Sequence, residues 1–341
     1  MKTDITDSLS NKFANMAIVC SFLVAVIHCR PPFEVGTMSW WIKQMLECGI
    51  CTIAVPFFFT ASGFFLAGHF DEEGWHAKEV RKRMRTLLIP YFLWITLFLV
   101  FLIGRGLLQG RWYGQFVECS NLIHFYGLAL TGCPGLTPLW YVRGLFILVL
   151  LSPLLFGVAR IGPMALLGLF VVYIGVCPGP AGGGFIHGLT RCGIFPLAGL
   201  FYFTLGISLR IGKICLQYSV RKCMVAGFAG LMLLAFQAWA TYKGYGYAQY
   251  LGCLGIPFVL YSAFGVMTQE TWPKWLTSCA FPIYLIHKFF YGPIPNALWG
   301  GSRTLIGYFL TAVFVFVMSI LVARALRRFL PRFASFAFGG R

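Results

Sequence analysis

Three ionisable side chains stand where an apolar sequence should not hold them. His28 closes the uncharged run from Phe13 to Ile27, Arg143 lies within Leu139-Trp-Tyr-Val-Arg143, and His287 follows Phe281-Pro-Ile-Tyr284-Leu-Ile. An imidazole titrates near neutrality, so it can take a proton from a hydroxyl and return it. A guanidinium can steady a developing oxyanion. Inside a membrane segment such groups are costly unless they face a cavity or a partner, which makes each a candidate functional residue. Structural alternatives stand beside these readings: His28 at the membrane interface, Arg143 snorkelling to the headgroups, and His287 closing a short span. A second concentration of polar chemistry is the basic run His76-Ala-Lys78-Glu-Val-Arg81-Lys82-Arg83-Met-Arg85, which enters Leu87-Leu-Ile-Pro90-Tyr91. It anchors topology or, since arginine matches phosphate in a bidentate way, holds a phosphorylated ligand through Lys82, Arg83 and Arg85.

The elements that position these residues are membrane helices. Of the 341 residues, 59% are hydrophobic, 18% aromatic and only 11% charged, with a mean hydropathy of +0.78, which excludes an ordinary soluble domain. A window of roughly 19 residues gives about ten candidate spans. They fall near 13–29, 50–68, 87–104, 139–158, 161–177, 194–209, 223–241, 250–267, 275–290 and 304–323. The ninth is short, and is read as tilted or partly re-entrant. The expected fold is all-α, a polytopic membrane bundle of about ten helices forming one domain over 1–341 with no soluble domain. The first span has no basic leader or small-residue cleavage site and is expected to stay in the mature chain. The stretch 105–138 reads as an interfacial helix plus loop, and Pro178–Gly184 as a turn.

Lysine and arginine set the orientation. With both termini cytoplasmic, most of the 27 basic residues fall on the inner side, Lys12, Arg81, Lys82, Arg83, Arg85, Arg324, Arg327 and Arg328 among them. That distribution explains the net charge of +17 as a cationic face against anionic lipid, without nucleic acid. His28 and His287 then end outward-running spans, and Arg143 lies one turn inside a span that starts on the outer side. All three reach a similar depth, and a shared polar cavity follows from that. Among the 12 cysteines, Cys177 with Cys192 and Cys119 with Cys133 are the outer pairs that can bridge, with free thiols as the alternative.

Taken together, the segments resemble the membrane-bound acyltransferase family 3, bacterial proteins that O-acylate envelope sugars and related acceptors. The residues that carry the resemblance are His28; Val55-Pro-Phe-Phe-Phe-Thr-Ala-Ser-Gly63-Phe-Phe-Leu66; Lys82-Arg-Met-Arg85 with Pro90-Tyr91; Leu139-Trp-Tyr-Val-Arg143 with Ser152-Pro153; Tyr202-Phe-Thr-Leu-Gly206; and Phe281-Pro-Ile-Tyr284-Leu-Ile-His287. They occur in family order over residues 13–290. Two positions depart from the pattern: Ala17 stands where the family often has arginine, and Lys82 replaces the first arginine of the cytoplasmic pair.

The resemblance implies an acyl-coenzyme A donor, acetyl by default, no metal, and a hydroxylated acceptor such as a carbohydrate on the outer side of the bacterial inner membrane. It implies His28 as general base, with a histidine-borne acyl intermediate as the alternative, and Arg143 or a neighbour at the oxyanion. The acids Glu34, Glu47 and Glu118 are the outward candidates to orient an imidazole. Ser62 beside Gly63 reads as a small pair for close helix packing rather than as a nucleophile. Homo-oligomerisation is left open. A transporter or flippase for a lipid-linked sugar is the competing class, and a non-catalytic binding module is a third.

Overall fold

The computed structural model describes residues 7–110, 112, 119–131, 137–176, 197–212, 219–246 and 248–340, and among these every regular element is helical. In chain order the helices are α1 (Asp7–Ile27), α2 (Met38–Glu47), α3 (Ala54–Leu66), α4 (Trp75–Arg83), α5 (Ile89–Gln109), α6 (Leu122–Thr131), α7 (Trp140–Leu150), α8 (Ser152–Ile161) and α9 (Pro163–Val176). They continue with α10 (Leu197–Ile211), α11 (Val220–Tyr242), α12 (Ala248–Val266), α13 (Lys274–Thr277), α14 (Ala280–Ile286), α15 (Pro293–Trp299), α16 (Leu305–Phe329) and α17 (Pro331–Ala337). The turn at Pro178–Gly184, Glu118, and the partners Cys133, Cys177 and Cys192 of the two cysteine pairs lie outside the described residues. Cys119 is a free thiol.

Among the described residues five stretches are long and apolar enough to cross a membrane: Asp7–Ile27, Met38–His69, Trp75–Leu108, Val220–Tyr242 and Leu305–Phe329. By length and composition the described residues thus hold five candidate spans, or six when α7 and α8 are taken together, and the expected count of ten is not confirmed. Those two helices meet at a 71° bend at Leu151, where Ser152-Pro153 starts a new helix because proline lacks the N–H that would continue the old one. The remaining apolar helices, Pro163–Gly175, Ala198–Ile211 and Tyr250–Val266, are shorter among the described residues. The ninth expected span is broken into α13, α14 and a tight 3-10 turn from His287 to Phe290.

Close backbone approach sets the centre of the bundle. A Cβ at Gly63 of α3 would collide with the Phe203 carbonyl of α10, and one at Gly206 of α10 would collide with the Thr60 carbonyl of α3. Small residues let helices meet at this distance in an apolar medium, where packing and not solvent exclusion holds helices together. At the other end of the bundle α1 is fastened by polar bonds. Lys12, 4% exposed, donates to the Gly265 carbonyl at the end of α12, and the Asn15 amide donates to the Thr268 and Glu270 carbonyls. The ammonium thus satisfies an orphan carbonyl at a helix C-terminus, where the helix dipole favours a cation.

Candidate active site

The histidines meet because two parallel helices share a register. Ser21 of α1 donates its hydroxyl hydrogen to the Ala280 carbonyl at 3.0 Å, which fixes α1 against the start of α14. His28 lies seven residues beyond Ser21, and His287 seven beyond Ala280. Two turns on from the fastening point the two side chains therefore arrive together. Their ring centroids are 5.3 Å apart at an interplanar angle of 30°. Tyr291 locks the same corner by donating to the Ala25 carbonyl at 2.5 Å, with its ring 6.1 Å from that of His287.

His287 is 1% exposed and its tautomer is determined by its surroundings. Nδ1 contacts the Tyr284 and Ile283 carbonyls at 2.8 and 3.1 Å, and a carbonyl oxygen can only accept, so Nδ1 carries the hydrogen. Nε2 then holds a lone pair, points away from its own helix and has no hydrogen-bond partner; the buried Nδ1 of half-buried His28 likewise has none. Two imidazole nitrogens in an apolar corner can accept a proton from a hydroxyl placed against them.

Beneath the pair runs a cavity of about 400 Å³. Its lining includes Ser10 and Ala17 of α1, Ser62 of α3, Arg83 of α4, Tyr141 and Tyr284. Those two tyrosine rings stand edge to face at 5.5 Å, the Tyr141 hydroxyl is 3.4 Å from Ser62 Oγ, and the Tyr284 ring is 6.2 Å from that of His287. Tyr284 therefore belongs both to the cavity lining and to the histidine corner. Its place could have been read from its spacing, three residues before His287 on one helical face. Gly63 packs as expected of the small pair, while its neighbour Ser62 turns to the cavity wall.

The basic run divides. Arg83 lines this cavity, and its Nε donates to the buried Glu79 carboxylate at 3.2 Å; Lys82, more exposed, pairs with the same carboxylate at 3.1 Å. Arg85 lies with Arg81 on a separate apolar groove of about 520 Å³ beside Phe92 and Phe336. A wide, π-type turn over Met84–Leu88 joins α4 to α5 between the two faces, a deviation that recurs at functional positions. Arg143, 6% exposed, donates Nη1 to the Leu130 and Ala129 carbonyls at 2.7 and 3.3 Å, and Tyr91 donates to the same Ala129 carbonyl. These bonds assign Arg143 first to the C-terminal end of α6, while the histidine pair comes from α1 and the turn after α14. Glu47 ends α2 and comes under the fields of Lys43 and Arg30.

The family model described as "Acyltransferase domain" matches residues 16–328. The chain is 31% identical over 123 residues to the succinoglycan biosynthesis protein ExoH of Rhizobium meliloti (strain 1021), an alignment that covers 34% of this chain and 32% of that relative. The aligned part is thus about a third of the relative's length. No solved structure matches the chain. The match across nearly the whole length establishes that this multi-pass membrane protein belongs to the acyltransferase family 3.

Proposed function

We propose that the enzyme moves an acyl group, acetyl in the simplest case, from cytoplasmic acyl-coenzyme A to a hydroxyl of an envelope sugar or polysaccharide presented at the outer side of the inner membrane. The observation that supports this reading is the cavity lined both by Arg83 of the basic run and by Tyr284, one helical turn from His287. Arg83, held with Lys82 by the Glu79 carboxylate, meets the coenzyme phosphates, and the narrow arm follows the Ala17 wall. The thioester comes to the tyrosine end and the acceptor hydroxyl to the histidine corner.

His28 takes the hydroxyl proton as the oxygen attacks the thioester carbonyl, and the coenzyme thiolate leaves with a proton returned from the imidazole. His287, with its tautomer fixed, accepts a hydrogen bond at Nε2 and holds the acceptor in line. Arg143, expected at the oxyanion, contributes by fixing α6, so its replacement by alanine affects stability along with transfer. The experiment is transfer of a labelled acyl group to envelope polysaccharide by membranes carrying His28→Ala, with coenzyme A stabilisation of the purified variant measured in parallel. Loss of a general base lowers the rate by about a hundredfold or more while the protein inserts and binds coenzyme A normally. Unchanged transfer removes His28 from the mechanism.

A further inference from the structure

The histidine corner carries an excess of positive charge that proton transfer does not use. Lys288 follows His287 in the 3-10 turn, half-buried, with its ammonium 5.9 Å from the Tyr291 ring centroid. Arg30 stands two residues past His28, exposed, with a backbone φ of +45°. It is the single non-glycine residue with positive φ among the described residues, a conformation that persists only where the surroundings impose it. Both cations lie within electrostatic reach of His28, and Arg30 reaches Lys288 as well. Among the described residues no carboxylate stands within ion-pairing distance of either. Glu34 is exposed on the loop, and Glu47 acts more strongly with Lys43, whose ammonium is itself held by the Pro31 carbonyl at 3.1 Å.

Two cations with no carboxylate at ion-pairing distance among the described residues disfavour each other, and an anion between them relieves that repulsion. The unpartnered Nε2 of the 1%-exposed His287 and the unpartnered Nδ1 of His28 supply the polar floor of the same corner.

We infer that Arg30 and Lys288 form, with the histidine pair, a subsite for an anionic group on a substrate: a carboxylate carried either by the acceptor sugar or by the far end of the acyl chain. This deepens the reading of the chain as an acyltransferase by naming a charge requirement at its outer corner. The phosphates of the coenzyme are not the occupant, because they are assigned to the opposite, Arg83 end.

The test is binding and needs no turnover. Full-length protein in detergent at fixed ionic strength is titrated, with thermal unfolding as the readout, against two matched pairs: succinate with succinamide for the acyl arm, and glucuronate with glucose for the acceptor arm. At least one anion is expected to stabilise at about tenfold lower concentration than its neutral counterpart, and the pair that does so identifies the source. The advantage is lost in R30Q/K288Q and kept in the charge-conserving R30K/K288R. Equal behaviour within both pairs in the wild type overturns the inference, as does an anion advantage that survives in R30Q/K288Q. Coenzyme A stabilisation, measured in the same preparations, reports on the proposed donor site separately: its absence counts against the acyl-coenzyme A reading and leaves the anion comparison intact.

Discussion

At the scale of single residues, position along the chain and position in space disagree most within the basic run. Lys82, Arg83 and Arg85 are nearly adjacent, yet at 100° per residue they point in three directions, and only Arg83 reaches the cavity that ends near His287. Glu79 holds it there from one turn earlier, with both partners shielded, Glu79 at 6% and Arg83 at 16% side-chain exposure. A charge-assisted bond to phosphate contributes about 1.5–3 kcal/mol. Arg83→Ala should therefore weaken coenzyme A stabilisation by about tenfold or more, and Arg85→Ala much less, measured by the shift in unfolding temperature with coenzyme concentration. A larger effect of Arg85 would move the phosphate site to the groove beside Phe92. The sequence could not make this choice, because both stripes continue into apolar residues, Leu87 behind Arg83 and Leu88, Ile89 and Phe92 behind Arg85, and hydrophobicity does not distinguish a face against the bundle from a face against lipid.

At the scale of elements, the motif glycines and the seven-residue register do the positioning. Gly63 and Gly206 belong to different motifs, 143 positions apart in the numbering, and each meets the backbone of the other's helix. The colliding atoms are carbonyls, which cannot rotate aside as a flexible side chain can. Gly63→Ala should therefore separate α3 from α10 and lower stability by about 1–3 kcal/mol, read as a fall in unfolding temperature in detergent, with transfer reduced because α3 also forms the cavity wall. An alanine variant of Gly104, where a Cβ would meet nothing within 4 Å, is the control and should unfold as the wild type does. Small residues in an apolar run announce close packing, and the sequence showed that much. It did not show which helix answers which, since a glycine is compatible with any close neighbour.

At the scale of the whole molecule, Arg83 and the histidine corner are linked through the bundle by a cavity that both Arg83 and Tyr284 line and by the contact of the Tyr284 ring with that of His287. Ala17 forms part of that wall, at a position where the resembling family often carries arginine, so the surrounding helices can be expected to accommodate a larger side chain. Ala17→Trp should fill the passage, raising the acyl-coenzyme A concentration needed for half-maximal transfer by about tenfold or more while leaving the unfolding temperature near that of the wild type. Normal donor use by that variant would show that the arm takes another route.

Composition and hydropathy alone determined that the chain is an all-helical membrane protein, because apolar runs of this density have no other way to satisfy their backbone in lipid. The order of motifs determined the family, and the equal depth of His28 and His287 followed from two helices running the same way. Tertiary structure decided the rest. It gave five or six long candidate spans and several shorter helices among the described residues, because the bend at Ser152-Pro153 and the broken segment around α14 depend on neighbours that accept the interrupted backbone. It gave Arg143 to the carbonyls of α6 and placed no carboxylate at ion-pairing distance from Arg30 or Lys288 among the described residues, since a charge finds its partner across the bundle and not along the chain.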